Sequence, residues 1–181
     1  MSARRQMTIL SCLVLAWMLV VGPLKGAKAA DPNQAESSDL KAQVCQTDAE
    51  VRGHVVAGFL RAQEQAAIKC DQLNAQGSAN TDRLLKLYGQ MTAKFQTELL
   101  PHQKAYDAHF HRAFGKNWEA AKQKTEIEFD EKMKKKLNAN MASCFTLELG
   151  LKVILANPWS FLQGKLDDGF AKERPKVPAC K

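Results

Sequence analysis

MASCFTLELGLKVIL, residues 141–155, is the most apolar run of the chain outside its N-terminal stretch. Wound at 3.6 residues per turn, it sets Glu148 and Lys152 on one narrow polar line, acid before base, while Phe145, Leu147, Leu149, Leu151, Val153, Ile154 and Leu155 cover most of the remaining circumference. A helix apolar nearly all round belongs inside a bundle or a membrane. Crossing a bilayer takes roughly 20 apolar residues. This run is shorter and carries Glu148 and Lys152, so the bundle reading prevails and the rest of the chain is expected to be arranged around it.

Toward the C-terminus, Asn157 and Pro158 close the run and cap a further helix, with proline at its first position and Trp159, Leu162, Leu166 and Phe170 on its apolar line. Beyond Gly169 the tail PKVPACK is too rich in proline to stay helical. Toward the N-terminus, Asn138 and Asn140 bend a long helix that opens at Asn117 and carries Trp118, Ala121, Thr125, Phe129, Met133 and Leu137 at helical spacing. Its other faces pair Lys122 with Glu126, Glu128 with Lys132, Asp130 with Lys134 and Glu131 with Lys135, the pattern of a solvated helix surface.

Further back, Leu84, Tyr88, Met91, Phe95 and Leu99 form one buried face behind a cap at Asn80 or Thr81, with Asp82 in the first turn. Pro101 halts or kinks this helix near Leu100, and a restart buries Tyr106, Phe110 and Ala113 or Phe114 before Gly115 ends it. The first helix opens on the capping box Thr47-Asp48-Ala49-Glu50. Its stripe runs through Val51, Val55, Gly58 or Phe59, Ala62, Ala66, Cys70 and Leu73 to the turn NAQGSAN, which contains Gly77. Gly53 and Gly58 weaken this helix or admit a close neighbour. With no two-period alternation and no repeat, the expected fold is all-α: an up-and-down bundle of four main helices, one kinked at Pro101, stapled by two disulfides.

The compartment follows from the start of the chain. Arg4 and Arg5 precede an uncharged run from Met7 to Val21, then Gly22-Pro23 and the small-residue site Ala27-Lys28-Ala29, the organisation of a secretory signal peptide cleaved near Ala29. The run is too short for an anchor, and Cys12 lies too early in it for a lipoprotein site. The Arg pair is also a feature of twin-arginine leaders, but the run after it is more apolar than that route favours, so general secretion is expected. Residues 1–29 are thus read as leader, 30–46 as a mobile polar segment with a short helix, 47–172 as the bundle, and 173–181 as an extended tail tethered by Cys180. The absence of an N-x-[ST] site favours a bacterial periplasm.

Removing the leader changes the charge argument. The chain has 26 basic and 19 acidic residues; four of the basic ones (Arg4, Arg5, Lys25, Lys28) lie in the leader, which leaves 22 against 19, a net +3. That is too mild for a nucleic-acid footprint. Four cysteines remain after Cys12 is removed, and none sits in C-x-x-C, so two disulfides in an oxidising compartment are expected. At ~1.5 Å per residue, the first helix carries Cys70 about 35 Å from Thr47, and the helix from Asn117 brings Cys144 to the same end. Cys45 and Cys180 share the other end, so the expected bridges are Cys70–Cys144 and Cys45–Cys180.

Three candidate sites stand out. Residues 102–111, HQKAYDAHFH, hold His102, Asp107, His109 and His111, a potential transition-metal set; on a helix only Asp107 and His111 share ligand spacing, so packing against Tyr106 is the competing role. Lys132, Lys134, Lys135 and Lys136 suit an acidic partner or acidic lipid headgroups, and equally a solvated helix end. Phe161 falls off the stripe of the last helix and is the residue expected to be exposed, for a partner or peripheral membrane contact. No nucleophile elbow, H-E-x-x-H, phosphate loop or haem-attachment motif is present. The chain reads as an exported, non-enzymatic protein that binds another envelope or secreted protein, without cofactor, nucleic acid or a transmembrane segment in its mature form. A soluble transition-metal-binding or sensing protein and a hydrolase of unfamiliar design are the alternatives.

Overall fold

The computed structural model describes residues 45–75 and 82–180; the expected leader and the segment up to residue 44 lie outside them. Six α-helices are described: α1 (Asp48–Ala75), α2 (Arg83–Lys94), α3 (Gln96–Phe114), α4 (Trp118–Lys136), α5 (Met141–Ala156) and α6 (Trp159–Glu173). Short 3-10 turns span Gly115–Asn117 and Arg174–Lys176. Among the described residues there is no strand, and one isolated parallel bridge joins Gln46 to Ala179. The fold is all-α, as expected.

Each helix forms where its end signals stand. Thr47 closes the capping box: Glu50 N donates to Thr47 Oγ1 at 3.2 Å and Thr47 N to Glu50 Oε2 at 2.8 Å. Gly115 ends α3 at φ +52°, a conformation that costs glycine nothing and a Cβ-bearing residue strain. A second capping box, Asn140 with Ser143, opens α5 and was not read from the sequence. Pro158 is the residue before α6 rather than its first, one position from expectation. The caps proposed at Asn80 and Thr81 lie outside the described residues, and Asp82 precedes α2 without a side-chain cap.

Four rods alternate in direction: α1, then α2 with α3, then α4, then α5 with α6. Lateral contacts give the sense of each. Arg61 reaches Glu126 and Asp130, and Lys69 reaches the carbonyls of Lys134 and Leu137, so α4 rises beside α1. Arg83 pairs with Glu148, and Lys94 donates to the carbonyls of Leu155 and Asn157, so α5 descends beside α2. Arg52 meets Asp167 and Arg174 meets Asp48, so α6 descends along α1. The disulfides Cys70–Cys144 and Cys45–Cys180 clamp opposite ends, with Cα separations of 5.5 and 4.8 Å, in the expected pairing.

Three expectations are corrected here. The interruption assigned to Pro101 falls at Phe95, which takes φ −108° and ψ 21°, and Pro101 sits inside α3. A proline leaves the carbonyl four residues back without its donor and crowds it, so the disturbance lies on its N-terminal side. The long helix from Asn117 does not bend into the apolar run; it stops at Lys136, and the chain reverses before Met141, so the apolar run descends. Nor is that run the centre of the molecule. The central element is α1, which packs against all five other helices, and from Glu50 to Asp71 not one of its residues is exposed. Its glycines and alanines let neighbours close in: a Cβ at Gly53 would stand 2.7 Å from Tyr106 N and 2.8 Å from His102 O, the backbone of α3.

Candidate functional site

By contrast, α5 is buried on one side only. Cys144, Leu147, Leu151 and Ile154 face inward, one turn apart, whereas Met141 and Phe145 stand outward with 73 % and 68 % of their surface accessible. These two are four residues apart, so they share one face of the first turns of α5. A fully exposed Phe forgoes about 2 kcal/mol of burial. Their position is rigidly set: the Asn140–Ser143 box fixes the start of the helix, with both cap bonds at 2.9 Å, and Cys144, beside Phe145, is tied to Cys70. Leu73, three residues beyond Cys70, is also partly exposed at this end.

The lysine run lies immediately before this feature in the chain. Lys132, Lys134, Lys135 and Lys136 are all exposed in the last turns of α4, Lys134 being paired with Glu131 at 2.9 Å. Lys69 of α1 serves the carbonyls of Lys134 and Leu137 at this helix end, and the run itself is exposed to solvent. Along the chain the two features adjoin in one junction, basic at the end of α4 and apolar at the start of α5. Phe161 is half-buried and does not belong to it; the exposed aromatic is Phe145, which the sequence reading placed in the core. Two of the expected i,i+4 pairs of α4, Lys122–Glu126 and Asp130–Lys134, give way to contacts across helices: Glu126 and Asp130 turn to Arg61 at 2.5 and 3.2 Å, and Lys122 to Asp107 at 2.6 Å.

The four residues proposed for metal are dispersed. Asp107 is held by Lys122, and His111 stacks on Trp118 with ring centroids 3.8 Å apart. His102 is half-buried in a small pocket with Arg52, Trp159 and Asp167; burial lowers its pKa, with Arg52 adding to the shift and Asp167 opposing it. His109 is buried, 7 % accessible, and faces α1. Among the described residues no group of three or more His, Cys, Asp or Glu side chains is arranged to hold a metal ion.

His109 instead meets a residue the sequence reading passed over. Its ring lies edge-on to His54 of α1 with centroids 4.7 Å apart, and Tyr106 and Phe110 complete the cluster around His54 at 4.8 and 5.8 Å. Burial pushes His54 down to about 4, with His109 adding to the shift and Glu50 opposing it. Burial likewise lowers His109, against the pull of Glu50. The one sequence signal was position: His54 follows Glu50 by one turn on the face that α3 covers.

Next to this cluster, Arg112 of α3 grips Glu50 with Nε on Oε1 at 3.0 Å and Nη2 on Oε2 at 2.6 Å, and also donates to the carbonyl of Cys45 at 2.6 Å. Burial raises the Glu50 carboxyl, but Arg112 and the amide and hydroxyl of Thr47 outweigh it and hold the group below its ordinary value. No helix among the described residues is long and apolar enough to cross a membrane. No protein-family model, curated protein or solved structure matches the chain.

Proposed function

We propose that the chain is an exported, non-enzymatic helical protein that works by binding another protein of the envelope or exterior, with the α4–α5 junction as its contact surface. The observation that carries this reading is the outward stance of Phe145 and Met141 on a helix anchored by a disulfide and a capping box. Large apolar side chains on one rigid face, beside a charged rim, are the composition of a binding hot spot. Lys132, Lys135 and Lys136 on the rim favour a partner segment that is apolar on one face and acidic beside it. The two disulfides support an oxidising compartment.

The test is a photo-reactive amino acid placed at Phe145 in the exported full-length protein. A single cross-linked protein, identified by mass spectrometry, is expected, and it should disappear when Met141→Asp or a Lys132, Lys135 and Lys136→Glu triple change is added. Cross-links only to lipid, or a protein cross-link indifferent to both changes, would overturn the reading.

A further inference from the structure

The seam between α1 and α3 is close-packed, with Gly53 pressed against the backbone of His102 and Tyr106, and it contains two imidazoles in mutual contact. Their inner nitrogens, His54 Nε2 and His109 Nδ1, are buried and meet no hydrogen-bond partner among the described residues. A buried polar atom without a partner costs free energy, and a buried cation without one costs far more. The one carboxylate that acts on both rings, Glu50, opposes their shifts without reversing them, and it and the other nearby charges are committed elsewhere. On α1, Glu50 is engaged by Arg112 and Thr47. On α3, the cluster adds the neutral Tyr106 and Phe110. In the preceding segment, Gln46 Nε2 stands 3.5 Å from His109 Nε2. On α4, Glu126 and Asp130 are held by Arg61 and Lys122 by Asp107; on α6, Asp167 is held by Arg52 and faces His102.

We propose that His54 and His109 form an acid-sensitive latch: protonation of the pair parts α1 from α3 over the Cys45–Cys180 end, while the Cys70–Cys144 end stays closed. Two like charges in contact repel, and the buried nitrogens of both rings gain water only if the helices separate. The split is local because the two ends are held by different means. The Cys70–Cys144 end contains no histidine and has the buried Asp71 cap and Leu84 behind its disulfide. The histidine end relies on the Gly53 contact and the Glu50–Arg112 pair, and Cys45–Cys180 keeps the opened segment tethered. Opening uncovers Tyr106 and Phe110.

Burial supports this direction, since His54 titrates at about 4 when closed and near 6.5 when open. Linkage then raises the opening constant about 30-fold between pH 7.5 and pH 5 from His54 alone, with His109 adding in the same sense. Hydrogen exchange on the mature, disulfide-intact protein, corrected for the pH dependence of intrinsic exchange, reads this directly. The expected result is a selective rise in opening across residues 50–58 and 102–110, with residues 84–91 and 144–154 unchanged, and its loss in a His54→Phe, His109→Phe double variant. In the unaltered protein, nuclear magnetic resonance titration of the two imidazoles should place both below the ordinary histidine range and in step with the opening, which keeps the test independent of whether that variant folds. Equal loss of protection at both ends, no acid response, a response that survives the double change, or imidazoles titrating near 6.5 would each overturn the latch.

Discussion

Asp71 of α1 caps the helix that follows it: its carboxylate accepts from Leu84 N at 3.1 Å and from Leu85 N at 2.9 Å, although α2 begins only at Arg83. The residue is 3 % accessible, so these amides have no solvent to turn to. Asp71→Ala is therefore expected to lower stability by about 2 kcal/mol, the upper end of cap deletions. Asp71→Asn, which keeps an acceptor oxygen, should cost about half as much, as measured by urea unfolding with both disulfides intact.

Gly53→Ala should destabilise by about 2 kcal/mol, because the new methyl meets backbone atoms of α3 at 2.7 and 2.8 Å and neither helix can yield by a side-chain rotation. Gly89→Ala is the control. It stands in α2 with nothing within 4 Å of the added carbon and should stabilise by about 0.5–1 kcal/mol through helix propensity alone. Thermal unfolding of the two variants should move in opposite directions.

The Glu50–Arg112 pair predicts an acid dependence separate from that of the histidines. The folded-state pKa of Glu50 is depressed below 4.5, so its contribution is fully present above the unfolded value and is lost as pH falls through the folded one. Glu50→Gln should flatten the stability curve below about pH 4.5 and, by removing the carboxylate that opposes the histidine shifts, keep or steepen the response between pH 5 and 6.5. Arg112→Ala should cost about 2 kcal/mol at pH 7 by stranding a buried carboxylate, a figure moderated by the half-exposed guanidinium.

Reduction should reveal unequal roles for the two bridges. Each closes a long loop, over 135 and 74 residues, and deleting either is expected to cost about 2–5 kcal/mol. Because one loop encloses the other, the losses should not add. Cys45→Ser with Cys180→Ser should chiefly loosen the bridge between Gln46 and Ala179 and the tail beyond Arg174, whereas Cys70→Ser with Cys144→Ser should loosen the start of α5. Limited proteolysis distinguishes the two patterns.

Phe145→Ser should change the unfolding free energy by no more than about 0.5 kcal/mol, since most of the ring already contacts water. Leu151→Ala, on the opposite face of the same helix and 1 % accessible, should cost about 2–4 kcal/mol. A large penalty at Phe145 would mean that the ring is a packing element, and the proposed contact surface would lose its basis.

The apolar faces of α2 and α3 were legible because they depend on spacing within one helix: Leu84, Met91, Phe95, Leu99, Tyr106 and Phe110 are all buried where a 3.6-residue period puts them. The same method misplaced Phe145. Hydropathy ranks α5 as the segment most in need of cover, but it is covered mainly by α1 and α2, on one side. It also underrated α1, whose small residues Gly53, Ala57, Gly58, Ala62, Ala66 and Ala67 let five helices approach whatever their own hydropathy. Nothing local in the sequence marks His54, because its partner is 55 residues away on another helix.

Taken alone, the sequence determined what is local or end-to-end: an all-helical chain, the Thr47–Glu50 cap, the stop at Gly115, and which cysteines share an end, although Cys144 lies at the start of the descending α5 and not at the top of one continuous rise from Asn117. Capping, periodicity and reach are set by residues within a few turns, so they can be read without knowing the neighbours. Tertiary structure alone decided which helix is central, where the chain turns back before α5, and which charges meet. Lys69, Asp71 and Lys94 close the ends of helices other than their own, Arg61 collects Glu126 and Asp130, and His54 finds His109. Each of these needs a partner from a different rod, and the energy that selects it arises only when the rods pack and exclude water.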